Sequence, residues 1–475
     1  MAAAGATALF WILNRPAHTG QTGWEVFHMQ EFFHSVTLDR DKCMGCINCI
    51  KRCPTEAIRV RNKKAHIIPE RCIDCGECIR VCPHHAKRAI YDPLEVIGQY
   101  EYAIALPAPS FMAQFNNLED VDIVLNALRD FGFHEVFEVA KAAEIVSAAT
   151  RILMKEGNLP RPIISSACPA VTRLIRVRFP GLIDHILPLH APIEVAARLS
   201  KKAAAERTGL PPEKIGAIFI SPCPAKVTAT KMPLGTEKSA VDAVVAVSEI
   251  YPKLVSVMKE TASHPMEPLT EAGKIGLSWG SSSGECSGLL NDNYLAADGI
   301  ENVIRVLEDL EDEKFRDVDF IELNACAGGC VGGVLNVENP YVAKTKLYRI
   351  RKHLPVSLNH IDAVDPGLLW DTPLEYVPVL KLDDDVWAAM EKMARVEEIC
   401  ASLEGLDCGS CGAPSCRALA EDIVRGMASE EDCIFRYKSG ITTLLKDLHK
   451  LENYIPAPFR AETGEDGGKD KEDTP

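Results

Sequence analysis

The sequence predicts an α/β domain, preceded by a small α+β module and followed by a small, mostly helical module. Three observations support this fold class. A cysteine motif near the amino terminus begins at Cys43 and is repeated from Cys72. Between about residues 102 and 395, short apolar runs alternate with longer helical stretches, which is typical of α/β sheets. A third, glycine-rich cysteine motif occupies residues 407–433.

The chain has 475 residues, which is enough for several domains. The apolar stretch at residues 2–13 has no basic segment before it, so it does not resemble a secretory signal. The carboxyl-terminal residues are rich in Gly, Asp, Glu and Lys, as in disordered tails. We therefore predict five segments: a disordered or non-native leader (1–34), the module with the repeated motif (35–97), the α/β domain (98–395), the helical module (396–446) and a disordered tail (447–475).

The charge of the chain argues against nucleic-acid binding. The formal net charge is −15, whereas phosphate recognition requires clustered Lys and Arg. Residues 40–90 nevertheless hold 12 Lys/Arg against 5 Asp/Glu. This excess would either dock an acidic redox protein or offset the negative charge of bound thiolates. No apolar run approaches the roughly 20 residues of a membrane helix, so we expect no membrane insertion.

The 18 cysteines are the strongest signal in the composition. Disulfide scaffolds are typically short secreted chains, but this chain is long and most of its cysteines lie in C-x-x-C steps. The spacing favours metal thiolates in a reducing compartment, and we expect a cytoplasmic location.

The repeated motif, C-x-x-C-x-x-C-x-x-x-C-P, has the spacing of bacterial two-cluster ferredoxins. In that arrangement three cysteines hold one [4Fe–4S] cluster and the fourth reaches the other cluster. Paired zinc sites are the alternative, but they lack this doubled spacing. The predicted ligand sets are Cys43, Cys46, Cys49 and Cys82 for one cluster, and Cys72, Cys75, Cys78 and Cys53 for the other.

Three strand-like runs in the central domain end at cysteines. Cys168, Cys223 and Cys326 each follow such a run, and Cys330 comes shortly after the last. Ligands of open α/β sheets bind at the carboxyl ends of strands, so these four thiols could hold one further cubane. Glycines flank the last pair and would let the backbone approach a bulky cofactor. Scattered core cysteines are the alternative.

Three loops around these cysteines resemble the catalytic domain of [FeFe]-hydrogenases. Ser-Ser-Ala-Cys-Pro (165–169), Pro-Cys-Pro-Ala-Lys (222–226) and Asn-Ala-Cys-Ala-Gly-Gly-Cys-Val-Gly-Gly (324–333) are similar to its T-S-C-C-P, M-P-C-x-x-K and M-A-C-x-x-G-C-x-x-G-G loops. The resemblance spans residues 35–395. It implies two lobes with an H-cluster between them, which is a [4Fe–4S] cubane joined by a thiolate to a diiron unit carrying CO, cyanide and a dithiolate.

The resemblance also assigns residues. Cys168, Cys223, Cys326 and Cys330 match the cubane ligands, and Cys330 matches the bridging thiolate. Lys226 matches the lysine whose ammonium contacts an iron-bound cyanide. Pro107 and Ala108 resemble, more weakly, the family's turn that lies beside the second iron-bound cyanide.

Several positions depart from the family pattern. Ala167 stands where a proton-relaying cysteine is usual, and Ser147 and Thr150 stand where two relay glutamates are usual. Ser221 and Asn324 replace methionines. A chain that keeps the cofactor ligands but lacks the proton relay resembles the sensory, slowly reacting [FeFe]-hydrogenases.

A substitute proton route would need other titratable groups near the cofactor. The glycine-rich segment 279–286 follows a predicted strand at 274–277 and supplies Glu285 and Cys286. Glu249, after a predicted strand at 241–247, is a candidate for the outer part of the route. The ordinary alternatives are that the thiol simply packs in the core and that the carboxylates face solvent.

The carboxyl-terminal motif C-x-x-C-x-x-x-x-C…C suits one more [4Fe–4S] cluster, with zinc as the alternative. It resembles the small cluster domain of membrane-linked ferredoxin oxidoreductases and of some sensory hydrogenases. Cys400 is interpreted as a core residue outside the cluster. The predicted ligands are Cys408, Cys411, Cys416 and Cys433.

We therefore predict a slow, reversible hydrogenase with four [4Fe–4S] clusters and a diiron subcluster, and with hydrogen sensing as its role. Its expected partners are H2 and protons, a ferredoxin or another redox protein, and H-cluster maturation proteins. The competing hypothesis is an iron–sulfur assembly or regulatory protein without a diiron unit.

Overall fold

A computed structural model of the chain describes residues 33–452 and 454. Nearly all of the predicted leader at 1–34 and most of the predicted tail at 447–475 lie outside these residues. The last helix that the structure describes is Ile434–Glu452. It continues past the predicted module boundary at 446.

The amino-terminal module is an α+β unit of two short ladders and two one-turn helices. β1 pairs antiparallel with β4, and β2 pairs antiparallel with β3. The two copies of the cysteine motif are thereby brought face to face. The elements are β1 (Val36–Leu38), α1 (Asn48–Lys51), β2 (Ile58–Arg61), β3 (Lys64–Ile67), α2 (Glu77–Arg80) and β4 (Lys87–Ala89).

The central domain has two parallel sheets, as the predicted two-lobed α/β fold requires. One sheet has the order β6-β5-β8-β9 and the other the order β10-β11-β7. The strands are β5 (Tyr102–Pro107), β6 (Glu135–Val136), β7 (Ile163–Ile164), β8 (Ile215–Ser221), β9 (Ala243–Ala246), β10 (Tyr294–Asp298) and β11 (Phe320–Asn324).

Helices cover these sheets and form much of the remaining chain. The predicted strand at 274–277 is wrong, because these residues lie in a helix. The helices are α3 (Val121–Phe131), α4 (Val139–Glu156), α5 (Pro169–Arg178), α6 (Pro192–Thr208), α7 (Pro224–Lys231), α8 (Val247–Thr261), α9 (Lys274–Ser278), α10 (Gly284–Gly288), α11 (Ile300–Glu311), α12 (Pro340–Arg351), α13 (Val386–Ser402), α14 (Cys416–Val424) and α15 (Ile434–Glu452).

Local signals explain several helix ends. The Asp120 side chain accepts a hydrogen bond from the backbone of Asp122 and caps α3, while α4 ends at Gly157 in a left-handed conformation. Every residue of β8 is buried, so both faces of the first sheet carry helices. This packing holds the carboxyl ends of the strands in fixed positions.

No helix in residues 33–452 is both long and apolar enough to cross a membrane.

Candidate functional site

The first predicted ligand set of the amino-terminal module lies around one cavity. Cys43, Cys46, Cys49 and Cys82 all line a space of about 300 Å³. Burial raises the pKa of Cys49 to about 11, and the charges of Cys46, Cys43 and Cys82 act in the same direction. The fourth thiol therefore comes from the second copy of the motif, as the spacing predicts.

The second set is also brought together. Burial raises the pKa of Cys75 well above its usual range, and the neighbouring charges of Cys53 and Cys78 add to this effect. The pKa of Cys72 is raised by burial and by the same two neighbours, together with Asp74. Cys53 has thus crossed from the first motif to the second set.

The four thiols of the central domain come from both lobes. Cys168 and Cys223 stand immediately before α5 and α7, each of which begins with proline. Burial raises the pKa of Cys223 to about 11, and the Lys226 charge is the largest effect opposing that rise. Burial raises the pKa of Cys326, and the charges of Cys223 and Cys168 raise it further. The strand ends of two separate sheets therefore meet at one point, next to Cys330.

Lys226 projects from α7 towards this group of thiols. Its Nζ lies 3.7 Å from the Cys330 Sγ. Burial lowers the pKa of Lys226, but the four cysteines more than offset burial, so that its pKa is raised. The side chain therefore stays an ammonium beside the predicted bridging thiol.

A cavity of about 570 Å³ adjoins Cys330 and Lys226. Most of its wall is apolar, and its acidic groups are two buried carboxyls. A largely apolar wall strengthens any charge interaction made beside it. The lining residues are Ala108, Pro109, Val139, Ala143, Ala167, Pro192, Ile193, Phe219, Pro222, Lys226, Trp279, Glu285, Glu322, Asn324 and Cys330.

The two carboxyls form a pair on the cavity wall. The Ser165 hydroxyl donates to the Glu285 Oε2 at 2.6 Å. Glu322 accepts hydrogen bonds from the Ser283 and Cys286 backbone N–H groups, both at 2.9 Å. Burial raises the pKa of Glu285 to about 8, and the Glu322 charge acts in the same direction. Glu285 can therefore hold and release a proton near neutral pH.

Sequence analysis identified Glu285 but missed its partner Glu322. The available signal was an acidic residue inside the buried strand β11, whose neighbours are apolar. A buried carboxyl on such a strand requires hydrogen-bond donors or a functional reason.

Cys286 lies behind the carboxyl pair and does not line the cavity. Its side chain is fully buried, and its Sγ lies 3.9 Å from the Leu295 carbonyl oxygen. Burial and the charges of Glu322 and Glu285 raise its pKa far above the neutral range. The thiol is therefore a poor proton carrier, and its backbone N–H serves to position Glu322.

The glycines near Cys330 have a different role from the predicted one. A Cβ added at Gly329, whose φ is +86°, would lie 2.3 Å from the Ser282 nitrogen. At Gly333 it would lie 2.2 Å from the Pro222 carbonyl oxygen. These glycines allow close packing between the cysteine loops.

The other predicted residues have separate positions. Ala108 lines the cavity, and Pro107 ends β5 directly before it. Ser147 accepts a hydrogen bond from the Trp279 Nε1 at 3.0 Å. Thr150 donates to a carbonyl within its own helix. Neither hydroxyl is oriented as an acid towards the cavity.

Glu249 is corrected as a relay candidate. It lies in the first turn of α8 with a side chain that is 40% exposed, and it pairs with Lys253 at 3.8 Å. The predicted strand ends at Ala246, and the helix that begins at Val247 carries Glu249 to the surface.

Ala167, Ile193 and Lys226 line both the cavity beside Cys330 and a second, outer cavity of about 600 Å³. His190 lines this outer cavity and is only 2% exposed, and its Nε2 has no hydrogen-bond partner among the residues that the structure describes. Sequence analysis did not identify His190.

In the carboxyl-terminal module, Cys408, Cys411, Cys416 and Cys433 line a further cavity of about 350 Å³. Cys400 lies on α13 and is absent from its wall. This separation agrees with the prediction that Cys400 belongs to the core.

The four thiol sets form a continuous series. The Val60 backbone N–H donates to the Gly412 carbonyl at 2.8 Å, and Lys51 Nζ donates to the Asp407 and Pro414 carbonyls. On the side of the central site, burial is the main cause of the raised pKa of Cys75, followed by the charges of Cys53 and Cys78. The charge of Cys326 raises it further. The amino-terminal module thus touches both the carboxyl-terminal module and the central site.

The donor chemistry suits iron–sulfur clusters. Each set supplies four thiols, and soft thiolate ligands favour iron–sulfur or zinc centres. The 570 Å³ cavity beyond Cys330, with an ammonium on its wall, offers room for an additional group on that thiol.

Comparisons with known proteins agree with this reading of the chain. A family model for the iron only hydrogenase large subunit, C-terminal domain, matches residues 101–291 and 280–334. A model for a 4Fe-4S dicluster domain matches residues 35–83, and a model for an Fe-S cluster domain matches residues 403–435.

Among curated proteins, the chain is 30% identical over 213 residues to the periplasmic [Fe] hydrogenase large subunit of Nitratidesulfovibrio vulgaris, which covers 41% of this chain and 50% of that protein. It is 25% identical over 401 residues to iron hydrogenase 1 of Clostridium pasteurianum, and this match covers 68% of this chain and 69% of that protein. The chain thus spans only half the length of the first of these relatives.

Among solved structures, an [FeFe]-hydrogenase HydA1 from Chlamydomonas reinhardtii matches with a TM-score of 0.44 and 17% identity. The match covers 58% of this chain and 95% of that one.

Proposed function

We propose that the chain, which is similar to [FeFe]-hydrogenases, interconverts protons, electrons and H2 at an H-cluster, slowly and in the service of hydrogen sensing. The observation that carries the proposal is the pairing of Cys330 with the Lys226 ammonium on the wall of a largely apolar cavity.

The proposed H-cluster would be held by Cys168, Cys223, Cys326 and Cys330, with Cys330 as the bridge and Lys226 beside a bound cyanide. When bound, the diiron unit supplies the redox chemistry of hydrogen. The remaining work belongs to the protein, which binds and orients the cofactor, excludes water and moves protons.

Electrons would travel along the series of thiol sets. They would enter at the carboxyl-terminal or amino-terminal module and reach the central site from Cys75 to Cys326, whose charges interact. The local excess of basic residues at 40–90 would receive an acidic donor such as a ferredoxin.

Protons would pass through the carboxyl pair. Glu285 lies on the cavity wall with a pKa raised by burial to about 8, so it can donate below that pH and accept above it. Glu322 would be the second carboxyl of this proton route, and hydrogen bonds from the Ser283 and Cys286 backbone N–H groups hold it in place.

Cysteines in C-x-x-C steps favour metal thiolates in a reducing compartment, and we propose the cytoplasm. Delivery of the diiron unit would require maturation proteins.

Infrared spectroscopy of the protein produced with the maturation proteins tests the function. Bands from iron-bound CO and cyanide are expected, and their loss in Lys226→Ala would link the cofactor to this cavity. A protein with full cubane content and no such bands would instead support the assembly or regulatory hypothesis.

The cluster assignments predict the iron content. Protein produced without maturation factors should contain about 16 iron atoms per chain, at about four per cubane. Iron analysis after anaerobic reconstitution measures this number. A content of about 12, at the same four per cubane, would contradict one of the four assignments.

The alanine at position 167 predicts slow turnover. Loss of a general acid typically costs about 10²–10⁴-fold, so H2 production should fall below that of cysteine-containing relatives by a factor in this range. Ala167→Cys alone should recover little of it, because Ser147 and Thr150 beyond it are bound to neighbouring groups. Turnover equal to that of those relatives, measured in unmodified protein, would refute this account.

A further inference from the structure

Lys87 is a buried lysine at the start of β4. It is 3% exposed, and its Nζ has no hydrogen-bond partner among residues 33–452 and 454. Burying an ammonium without a counter-charge is strongly unfavourable, so the fold requires a compensating negative charge close to it.

The internal repeat shows that the lysine is not required by packing. The same place in the first copy, 29 positions earlier, is occupied by Ile58, which is 2% exposed. Each copy reads Cys-Pro-x-x-Ala up to this point, and then isoleucine in one case and lysine in the other. An apolar side chain would therefore fill the position, and the charge of Lys87 needs a separate explanation.

The neighbours of Lys87 belong to both thiol sets of the module. Lys87 lines the same cavity of about 300 Å³ as Cys43, Cys46, Cys49 and Cys82, the four thiols of the first set. In the second set, burial raises the pKa of Cys78 to about 12, and the Lys87 charge is the largest effect opposing that rise. Cys49 belongs to the first set and Cys78 to the second, so a single cation lies within reach of both.

Two further thiols complete this arrangement. After burial and local hydrogen bonds, the charge of Lys87 also acts on Cys53 and Cys82. These are the two cysteines that cross between the motifs. Lys87 is thus positioned between the sets and does not belong to one alone.

We propose that Lys87 is a shared counter-cation for the two clusters of the amino-terminal module, raising the reduction potential of both; the proposal rests on these sites holding [4Fe–4S] clusters. Each cluster gains one negative charge when it takes up one electron from a reductant. A fixed positive charge in a medium of low dielectric constant stabilises that reduced form. No bond forms or breaks.

The test is an anaerobic dithionite titration of the full chain, followed by electron paramagnetic resonance of the reduced clusters. Two neutral variants are compared with wild type: Lys87→Met, which approximates the shape, and Lys87→Ile, which introduces the residue of the first repeat. In both, the ratio of reduced to oxidised cluster at a fixed potential should fall at least tenfold, equivalent to about 59 mV for a one-electron couple.

Two controls keep the positive charge or remove a different one. Lys87→Arg retains the cation, so its ratio of reduced to oxidised cluster should stay within about twofold of the wild-type ratio. This is well below the tenfold change expected of the neutral variants. Arg88→Met removes the adjacent cation, which is 53% exposed and paired with Asp39 at 3.0 Å. Because solvent screens an exposed charge, this variant should change the ratio of reduced to oxidised cluster by less than about threefold.

The outcomes separate this proposal from the proposed function. Normal cluster signals with unchanged potentials in both neutral variants would overturn the role of Lys87 and leave the clusters intact. Absence of cluster signals from wild type would overturn the clusters themselves. If both neutral variants lose their clusters while Lys87→Arg retains them, the requirement for the charge is supported.

Discussion

Asp422→Ala should detach the carboxyl-terminal module from the amino-terminal one. The Asp422 Oδ2 accepts from Arg59 Nε at 2.7 Å and from Arg61 at 2.9 Å. The Asp422 and Arg59 side chains are 2% and 1% exposed. Removing one partner of a buried ion pair leaves an uncompensated charge and costs about 3–5 kcal/mol. Here two guanidinium groups would lose their shared carboxylate.

Hydrogen exchange is the appropriate measurement, because a protein of several modules does not unfold in one step. Protection of α14 and β2 should fall together, while protection of β8 in the central sheet is retained. Glu398→Ala is the control, since its side chain is 69% exposed and its pair with Arg395 should be worth less than about 1 kcal/mol. Unchanged protection in Asp422→Ala would show that other contacts hold the module.

Glu285→Gln should lower hydrogen turnover by about 10²–10⁴-fold, which is the usual range for a general acid. Glutamine keeps the size of the side chain and can still accept from Ser165, but it cannot hold an acidic proton. Because burial raises the pKa of Glu285 to about 8, wild-type proton reduction should decline as pH rises through that value. Hydrogen oxidation should show the opposite trend. The variant should lose both dependences.

The measurement is turnover against pH on protein with an intact infrared spectrum. Glu267→Gln makes the same chemical change at a surface position 66% exposed, and should leave rate and pH profile unaltered. Cys286→Ala should have a smaller effect than Glu285→Gln, because its thiol does not line the cavity. Wild-type rate and pH profile in Glu285→Gln would mean that protons use another path, for example the outer cavity beside His190.

The sequence by itself predicted the modules and the thiol sets. Tight spacing within a loop forces Cys43, Cys46 and Cys49 to point at one centre, whatever surrounds them. Strand-end cysteines likewise reach the same edge of a sheet, which is why Cys168 and Cys326 could be grouped before the fold was known. These relations depend on covalent geometry and on parallel-sheet topology.

Only the tertiary structure decided which charged groups are buried together. Glu285 and Glu322 line the same cavity, Asp422 pairs with Arg59 across 363 positions, and Lys87 lines the cavity of the first thiol set. Glu249, equally plausible from its position after a strand, is turned to solvent by α8. A charged residue has the same local periodicity whether it faces water or a partner. Its burial depends on distant segments, and that information is absent from any short window of the chain.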